Sequence, residues 1–186
     1  MRFGAIVLTL FLAAGSHMTQ AIEEPSFELA GQVGDVELRD YAATIQARTS
    51  MGEDSGTSSP FRRLANFIFG DNSQESEIAM TAPVETRDTG DGYMAFTMPS
   101  EYSMEDLPAP LDDSVSLHEI PPRRMAALSF GGWATDGKVE RMTVELFATL
   151  EENGIETVGP PALNQYNPPW TLPWKRRNEV VVEVVQ

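Results

Sequence analysis

Val36-Glu37-Leu38-Arg39-Asp40-Tyr41 and Val115-Ser116-Leu117-His118-Glu119-Ile120 are the two stretches whose reading decides the fold. Both alternate apolar and polar residues, the period of a half-buried strand. They open two similar half-chains, 79 residues apart. In the first half, Ala42–Thr49 reads as a second strand centred on Ile45, followed by the polar loop Ser50–Ser59. Pro60 then opens a helix with Ser59 as N-cap. Phe61, Leu64, Ala65 and Ile68 form its apolar stripe, and Gly70 closes it at C′. Ile78–Glu85 and Tyr93–Pro99 read as strands around the turn Asp88–Gly92. In the second half, Val115–Ile120 and Arg124–Phe130 read as a strand pair around Pro121-Pro122. Lys138–Asn153 is an amphipathic helix with Val139, Met142, Leu146, Phe147 and Leu150 on its apolar side, closed by Gly154. Ile155–Val158 is short and extended, Gly159–Trp174 is a loop rich in proline and aromatic residues, and Glu179–Val185 is a buried strand. Two ββαββ halves imply an α+β, pseudo-twofold domain: a curved antiparallel sheet or distorted β-barrel with one helix per half packed outside. The interface between such halves is a favoured place for a ligand.

The N-terminus is read as an address. Met1-Arg2 is followed by the apolar run Phe3–Ala14, too short for the roughly 20 residues of a membrane span, and then by small and polar residues. This is the pattern of a secretory signal peptide over residues 1–21, with cleavage after Ala21 or earlier at Ala13-Ala14-Gly15. Gly15-Ser16-His17-Met18 within it also has the look of an expression-tag remnant. Residues 22–186 are then a single domain, exported to a periplasmic or extracellular setting and expected to be monomeric.

Composition narrows the chemistry. The chain has 186 residues, 13 Lys+Arg against 28 Asp+Glu, a net charge of -15, no cysteine and two histidines. Removal of the leader takes away Arg2 and His17, leaving a net charge of -16 and His118 as the one histidine. So acidic a chain is a poor partner for nucleic acid. Without cysteine there is no disulfide, thiolate nucleophile or Cys-ligated metal. The adjacent carboxylates Asp112-Asp113 and Glu151-Glu152 do not share a face and read as solvated surface. Basic residues are scarce and gathered in three knots: Arg62-Arg63, Arg123-Arg124 and Lys175-Arg176-Arg177. They can neutralise surrounding acids or hold the carboxylates of an anionic ligand. The last knot adjoins Tyr166, Trp170 and Trp174 on a proline-stiffened loop, which presents rings at low entropic cost. That loop can cap the core or grip a flat, apolar, dicarboxylate-bearing molecule.

Ile78-Ala79-Met80-Thr81-Ala82-Pro83-Val84, Phe96-Thr97-Met98-Pro99, Gly131-Gly132-Trp133, Tyr166-Asn167-Pro168-Pro169 and Arg176-Arg177-Asn178-Glu179-Val180 occur in this order, with Phe69-Gly70-Asp71-Asn72 after the first helix. In these motifs the chain resembles the SOUL haem-binding protein family from about Val36 to Val185. The resemblance implies a pseudo-twofold α+β barrel with two flanking helices, and non-covalent binding of haem or a related tetrapyrrole, as a carrier or scavenger. It implies a cleft between helix 60–70 and loop 159–177. The cofactor-binding residues expected there are Phe61, Arg62, Leu64, Ala65, Asn66 and Ile68 on the helix side. On the loop side they are Tyr166, Trp170, Trp174, Lys175, Arg176 and Arg177. Some family members carry a histidine, proposed as the iron ligand, where this chain has Asp40. Ala65 and Asn66 stand where some relatives have Met and Lys. The resemblance therefore implies a macrocycle held without that histidine, with propionate contacts shifted to Arg62 or Arg63, and no resident metal site.

The function expected is ligand binding rather than catalysis. The alternatives are a binding module for another small hydrophobic or amphipathic molecule, or an enzyme using a carboxylate such as Glu85, Glu119 or Glu179. N-terminal sequencing of the exported protein should read from Ile22; a secreted chain still beginning at Met1 would remove the leader assignment.

Overall fold

The structure, a computed structural model, describes residues 22–52, 59–89 and 92–186. The signal-peptide expectation over residues 1–21, the middle of loop Ser50–Ser59 and the tip of turn Asp88–Gly92 lie outside the described residues. The elements, in chain order, are β1 (Phe27–Val33), β2 (Val36–Tyr41), β3 (Thr44–Ser50), α1 (Pro60–Ile68), β4 (Val84–Arg87) and β5 (Tyr93–Thr97). They continue with β6 (Val115–Ile120), β7 (Arg123–Gly131), α2 (Asp136–Glu152), β8 (Thr157–Gln165), a 3₁₀ turn over Pro173–Lys175, and β9 (Arg177–Val184).

The strands form one curled antiparallel sheet in the order β1-β2-β7-β9-β8-β4-β5-β3-β6. Leaving β1 aside, exchanging β2 with β6, β3 with β7, β4 with β8 and β5 with β9 reverses this order. The pseudo-twofold axis therefore passes between β8 and β4. There Glu85 lies directly across from Asn164, two residues separated by the same 79 positions as the opening repeat. The α+β pseudo-twofold architecture expected from the sequence is the one observed.

Strict alternation along the strands sorts the sheet into two faces. Val36, Ala126, Leu128, Val180 and Val182 point one way and meet Leu146 and Leu150 of α2. Ala47, Phe96 and Val115 point the same way and meet Leu64, Phe67 and Ile68 of α1. Both helices cover this outer face, and the apolar core lies beneath them. The opposite, inner face carries Arg39, Gln46, Glu85, Asn164 and Glu179, all buried.

Several local expectations change. Pro121-Pro122 does not join a paired hairpin: β6 pairs with β3, and β7 with β2 and β9. Two prolines, with φ fixed near −65°, cannot adopt the positive-φ turn a two-residue hairpin needs. Gly159–Trp174 is not all loop, because β8 runs through Pro160-Pro161 at a register shift between Val158 and Ala162. A bulge tolerates residues that cannot donate to the ladder. The first strand of the domain is β1, antiparallel to β2, which the sequence reading passed over. β4 starts only at Val84, because the preceding residues bond elsewhere: Ile78 N–H to Ile68 O at 2.8 Å and Ala82 N–H to Glu23 O at 2.8 Å.

α1 begins as expected, with Ser59 Oγ accepting from Arg62 N at 3.3 Å and Pro60 in the first turn. Gly70 follows the cap with φ of 112°, a conformation that favours glycine. The buried stripe is rotated from the expected one, however: Arg63, Leu64, Phe67 and Ile68 face the sheet, while Phe61 is 43% exposed. α2 closes at Asn153 and Gly154, and its expected apolar side is the side that packs. Leu146→Ala should lower the free energy of unfolding by about 2–5 kcal/mol. Val144→Ala, on the solvent side of the same helix, should change it by less than roughly 0.5 kcal/mol; urea denaturation of both variants measures the difference.

Candidate functional site

Two places carry chemistry: the polar inner face of the sheet and the aromatic loop between β8 and β9. On the inner face, Arg39 on β2 reaches past β7 to Glu179 on β9 through two hydrogen bonds, Nη1–Oε2 at 2.8 Å and Nη2–Oε1 at 3.0 Å. Tyr166 Oη donates to Glu179 Oε2 at 2.6 Å, and Ser129 Oγ donates to Oε1 at 3.0 Å. Burial alone would raise the Glu179 carboxyl, but the donors Arg39 and Tyr166 outweigh it and hold the group below its ordinary value of 4.5. Burial, then the Glu179 charge, pushes the Tyr166 phenol upward, so it stays a protonated donor.

A second network sits on the β3–β4–β5 side. Tyr93 Oη donates to Glu85 Oε1 at 2.7 Å, and Gln46 Nε2 to Glu85 Oε2 at 3.3 Å. The Arg48 guanidinium stacks on the Tyr93 ring at 4.2 Å. Burial and the neighbouring Glu85 push Tyr93 up to about 12. The two networks border a cavity of about 350 Å³ at the junction of the halves, with Glu24 and Pro25 at its edge. A wider groove of about 880 Å³ adjoins it, walled by apolar residues including Ile45, Met98, Tyr102 and Ile120.

The loop between β8 and β9 carries the exposed rings. Trp170 is 83% and Trp174 76% exposed, with Leu172 and Trp133 also open to solvent. The Arg176 guanidinium stacks on Trp133 at 3.9 Å and bonds the carbonyls of Thr171 and Pro169, which ties the loop to the end of β7. Lys175 is exposed beside Trp174.

The residues expected to form one cleft are distributed over several places. Phe61, Arg62 and Asn66 are exposed on α1, with Ala65 half-buried, and Phe61 lies edge-on to Phe96 at 5.4 Å. Leu64 and Ile68 are wholly buried against the sheet and support the helix instead of lining an open wall. Tyr166 and Arg177 belong to the inner cavity, where Arg177 pairs with Glu24 and stacks on Tyr166 at 3.5 Å. Trp170, Trp174, Lys175 and Arg176 remain together on the loop. α1 packs on β3, β5 and β6, whereas the 3₁₀ turn packs on β7, and neither hollow described above is lined by α1.

The basic knots likewise separate. Arg63, a candidate for propionates, turns inward and donates to Thr49 Oγ1 at 2.8 Å and Ser50 O at 2.6 Å. Arg124 pairs bidentately with Asp40 at 2.7 Å on both oxygens, holding that carboxyl below its usual range. Arg123 stands 3.8 Å from both Glu85 and Glu183. Of the seven clustered basic residues, Arg62 and Lys175 make no side-chain hydrogen bond or ion pair among the described residues. His118 is exposed on the edge strand β6, 2.8 Å from Ser116 Oγ. The described residues hold no cluster of His, Cys, Asp and Glu able to bind a metal ion. Arg39, Tyr93 and Asn164 were missed as site residues. The signal was in the alternation: a strand reading VELRDY with an apolar outer face puts Glu37, Arg39 and Tyr41 on the other.

The frame is a pseudo-twofold α+β half-barrel, with helices on one face of the sheet and a polar hollow on the other. The chain belongs to the SOUL heme-binding protein family, which matches residues 22–183. It is 31% identical over 157 residues to human heme-binding protein 2, covering 76% of each chain. It is 26% identical over 164 residues to bovine heme-binding protein 1, covering 81% of this chain and 84% of the bovine one. Among solved structures, the EcmrR C-terminal domain superposes with a TM-score of 0.56 at 12% identity, covering 81% of this chain and 97% of that one. At that identity the likeness is one of fold.

The Arg39–Glu179 contact yields a stability prediction. A carboxyl whose folded value is depressed contributes stability above its unfolded value and loses it as pH falls through the folded one. Glu179 should therefore stabilise fully above about 4.5 and progressively less below. Glu179→Gln should flatten the dependence of stability on pH in that window. Glu179→Ala, which removes the bidentate partner of buried Arg39 and leaves it only the Glu37 carboxylate at 2.8 Å, should cost about 1.5–3 kcal/mol at neutral pH. Thermal and urea unfolding across a pH series measure both.

Proposed function

We propose that this protein binds haem or a related tetrapyrrole non-covalently, as an exported monomeric carrier or scavenger, without turning it over. The observation that carries this reading is the pair of tryptophans at 83% and 76% exposure on a proline-stiffened loop, in a chain of a heme-binding family. Large apolar surface left open to water is characteristic of a surface that something covers. A planar macrocycle offers matching area to Trp170 and Trp174, and exposed Lys175 stands ready for a propionate.

Iron ligation by a histidine beside the β2 tyrosine has no support in the residues. That position is Asp40, already paired with Arg124, and the donor set fits the macrocycle better than the metal. Apolar contact and cation–propionate pairing then carry the affinity. Of the carboxylates considered for catalysis, Glu179 accepts from four donors and has no spare capacity to act as a base.

Titration of the purified protein with hemin and with metal-free protoporphyrin, followed by the Soret band and tryptophan quenching, should saturate for both. The hemin complex should lack the sharp spectrum of a six-coordinate iron. Trp170→Ala and Trp174→Ala should each weaken binding by roughly tenfold, the scale of one well-packed aromatic contact. Saturation by neither ligand would end this reading, and unchanged affinity in both variants would remove the loop from the site.

A further inference from the structure

The two buried carboxylates of the inner face are not equally satisfied. Glu179 has four donors within 3.0 Å. Glu85, 7% exposed, has one short bond, from Tyr93 at 2.7 Å, a long one from Gln46 at 3.3 Å, and the Arg123 guanidinium only at 3.8 Å. A carboxylate has about four lone-pair sites, so Glu85 keeps acceptor capacity facing the cavity. Directly across the strand junction, Asn164 is 8% exposed and its Oδ1 has no partner among the described residues. A buried acceptor without a donor is costly, about 1–3 kcal/mol, and native structures seldom leave one unexplained.

We propose that the cavity between the two halves is a second binding site, for a small molecule that presents an N–H donor group, a primary ammonium or amidinium, to Glu85 and Asn164. Directly opposed residues hold their Cβ atoms about 4.5–5.5 Å apart, so one ammonium bridges both acceptors. The charge suits the carboxylate, and the donor count suits the amide. Met125 and Val181, part of a small apolar cluster on the same inner face, pack the body of the ligand. A cavity of about 350 Å³ is at the small end of the range for organic ligands. The site lies on the opposite side of the sheet from α1 and is independent of the tetrapyrrole reading.

Benzylamine is the probe and benzoate, the same ring with the opposite charge, is the control. In ¹H–¹⁵N NMR titrations of the whole protein, benzylamine should give saturable shifts of the Asn164 side-chain amide and of backbone amides in β4 and β8; benzoate should not. Glu85→Gln should weaken benzylamine by roughly tenfold or more, the scale of a charge-assisted bond, while hemin affinity is unchanged. An unmoved Asn164 amide means that Oδ1 holds only water and overturns the proposal. So does equal affinity for benzylamine in Glu85→Gln, or equal binding of benzoate. If the variant does not fold, the wild-type titration with its benzoate control decides alone. Loss of hemin binding with benzylamine retained would sink the tetrapyrrole reading and leave this one standing.

Discussion

Arg39 and Glu179 sit on strands β2 and β9, with β7 between them, and meet on the side of the sheet away from the helices. Bringing two charges out of water is unfavourable unless geometry and extra hydrogen bonds offset the desolvation. Here they do: two parallel bonds join the pair, and Tyr166 and Ser129 complete the carboxylate. The pair lets the inner face carry buried charge with its hydrogen bonds satisfied. It also links the loop after β8 to the body of the sheet, since Tyr166 is the first residue of that loop. The rings displayed further along, on Trp170 and Trp174, therefore start from an anchored root, and Arg176 stacked on Trp133 anchors the far end.

That arrangement divides the protein into two working surfaces. The outer face has its strands covered by α1 and α2, and what is open to a partner is the aromatic loop between β8 and β9. The inner face is hollow at the pseudo-twofold axis. A flat, apolar, anionic molecule has its complement on that loop, where exposed rings and the uncommitted Lys175 lie. It has none at the heart of the inner face, where Glu85 is buried and the nearby arginines already face carboxylates.

Much of this was legible in the sequence because alternation and helix periodicity are local. VELRDY and VSLHEI announced strands, Ser59-Pro60 announced a helix start, and the α2 stripe packs as its spacing requires. What was not legible depends on partners distant in the chain. Arg63 is buried because Thr49 and Ser50 receive its guanidinium, and that turns α1 so that Phe67 packs and Phe61 faces outward. β8 continues through two prolines because the ladder with β9 shifts register there, which composition alone reads as a loop. The site was legible in part. Trp170, Trp174 and Lys175 are where a displayed loop puts them. Tyr166 and Arg177, neighbours in the same motifs, serve the inner cavity instead, because a strand end and a loop segment obey different geometry.

The internal repeat sharpens the contrast between the faces. At the 79-residue offset, the outer-face positions under the helices largely keep their character: Val36 matches Val115, Leu38 matches Leu117, Ala47 matches Ala126, Phe67 matches Leu146 and Val84 matches Leu163, against Thr49 with Leu128 and Ile45 with Arg124. Four inner-face positions around the cavity do not: Arg39 matches His118, Gln46 matches Met125, Arg48 matches Ala127 and Glu85 matches Asn164, while Ser50 matches Ser129. Packing explains the first set, since each half must bury one helix against the same kind of sheet. Packing does not explain the second, because a hollow needs no particular side chains to stay open. Two halves equivalent in backbone but unlike in the chemistry they point at a shared axis make an asymmetric cavity from a symmetric frame. An asymmetric cavity can orient a ligand, with one end toward the Glu85–Asn164 junction and the other toward the apolar floor of β7 and β9.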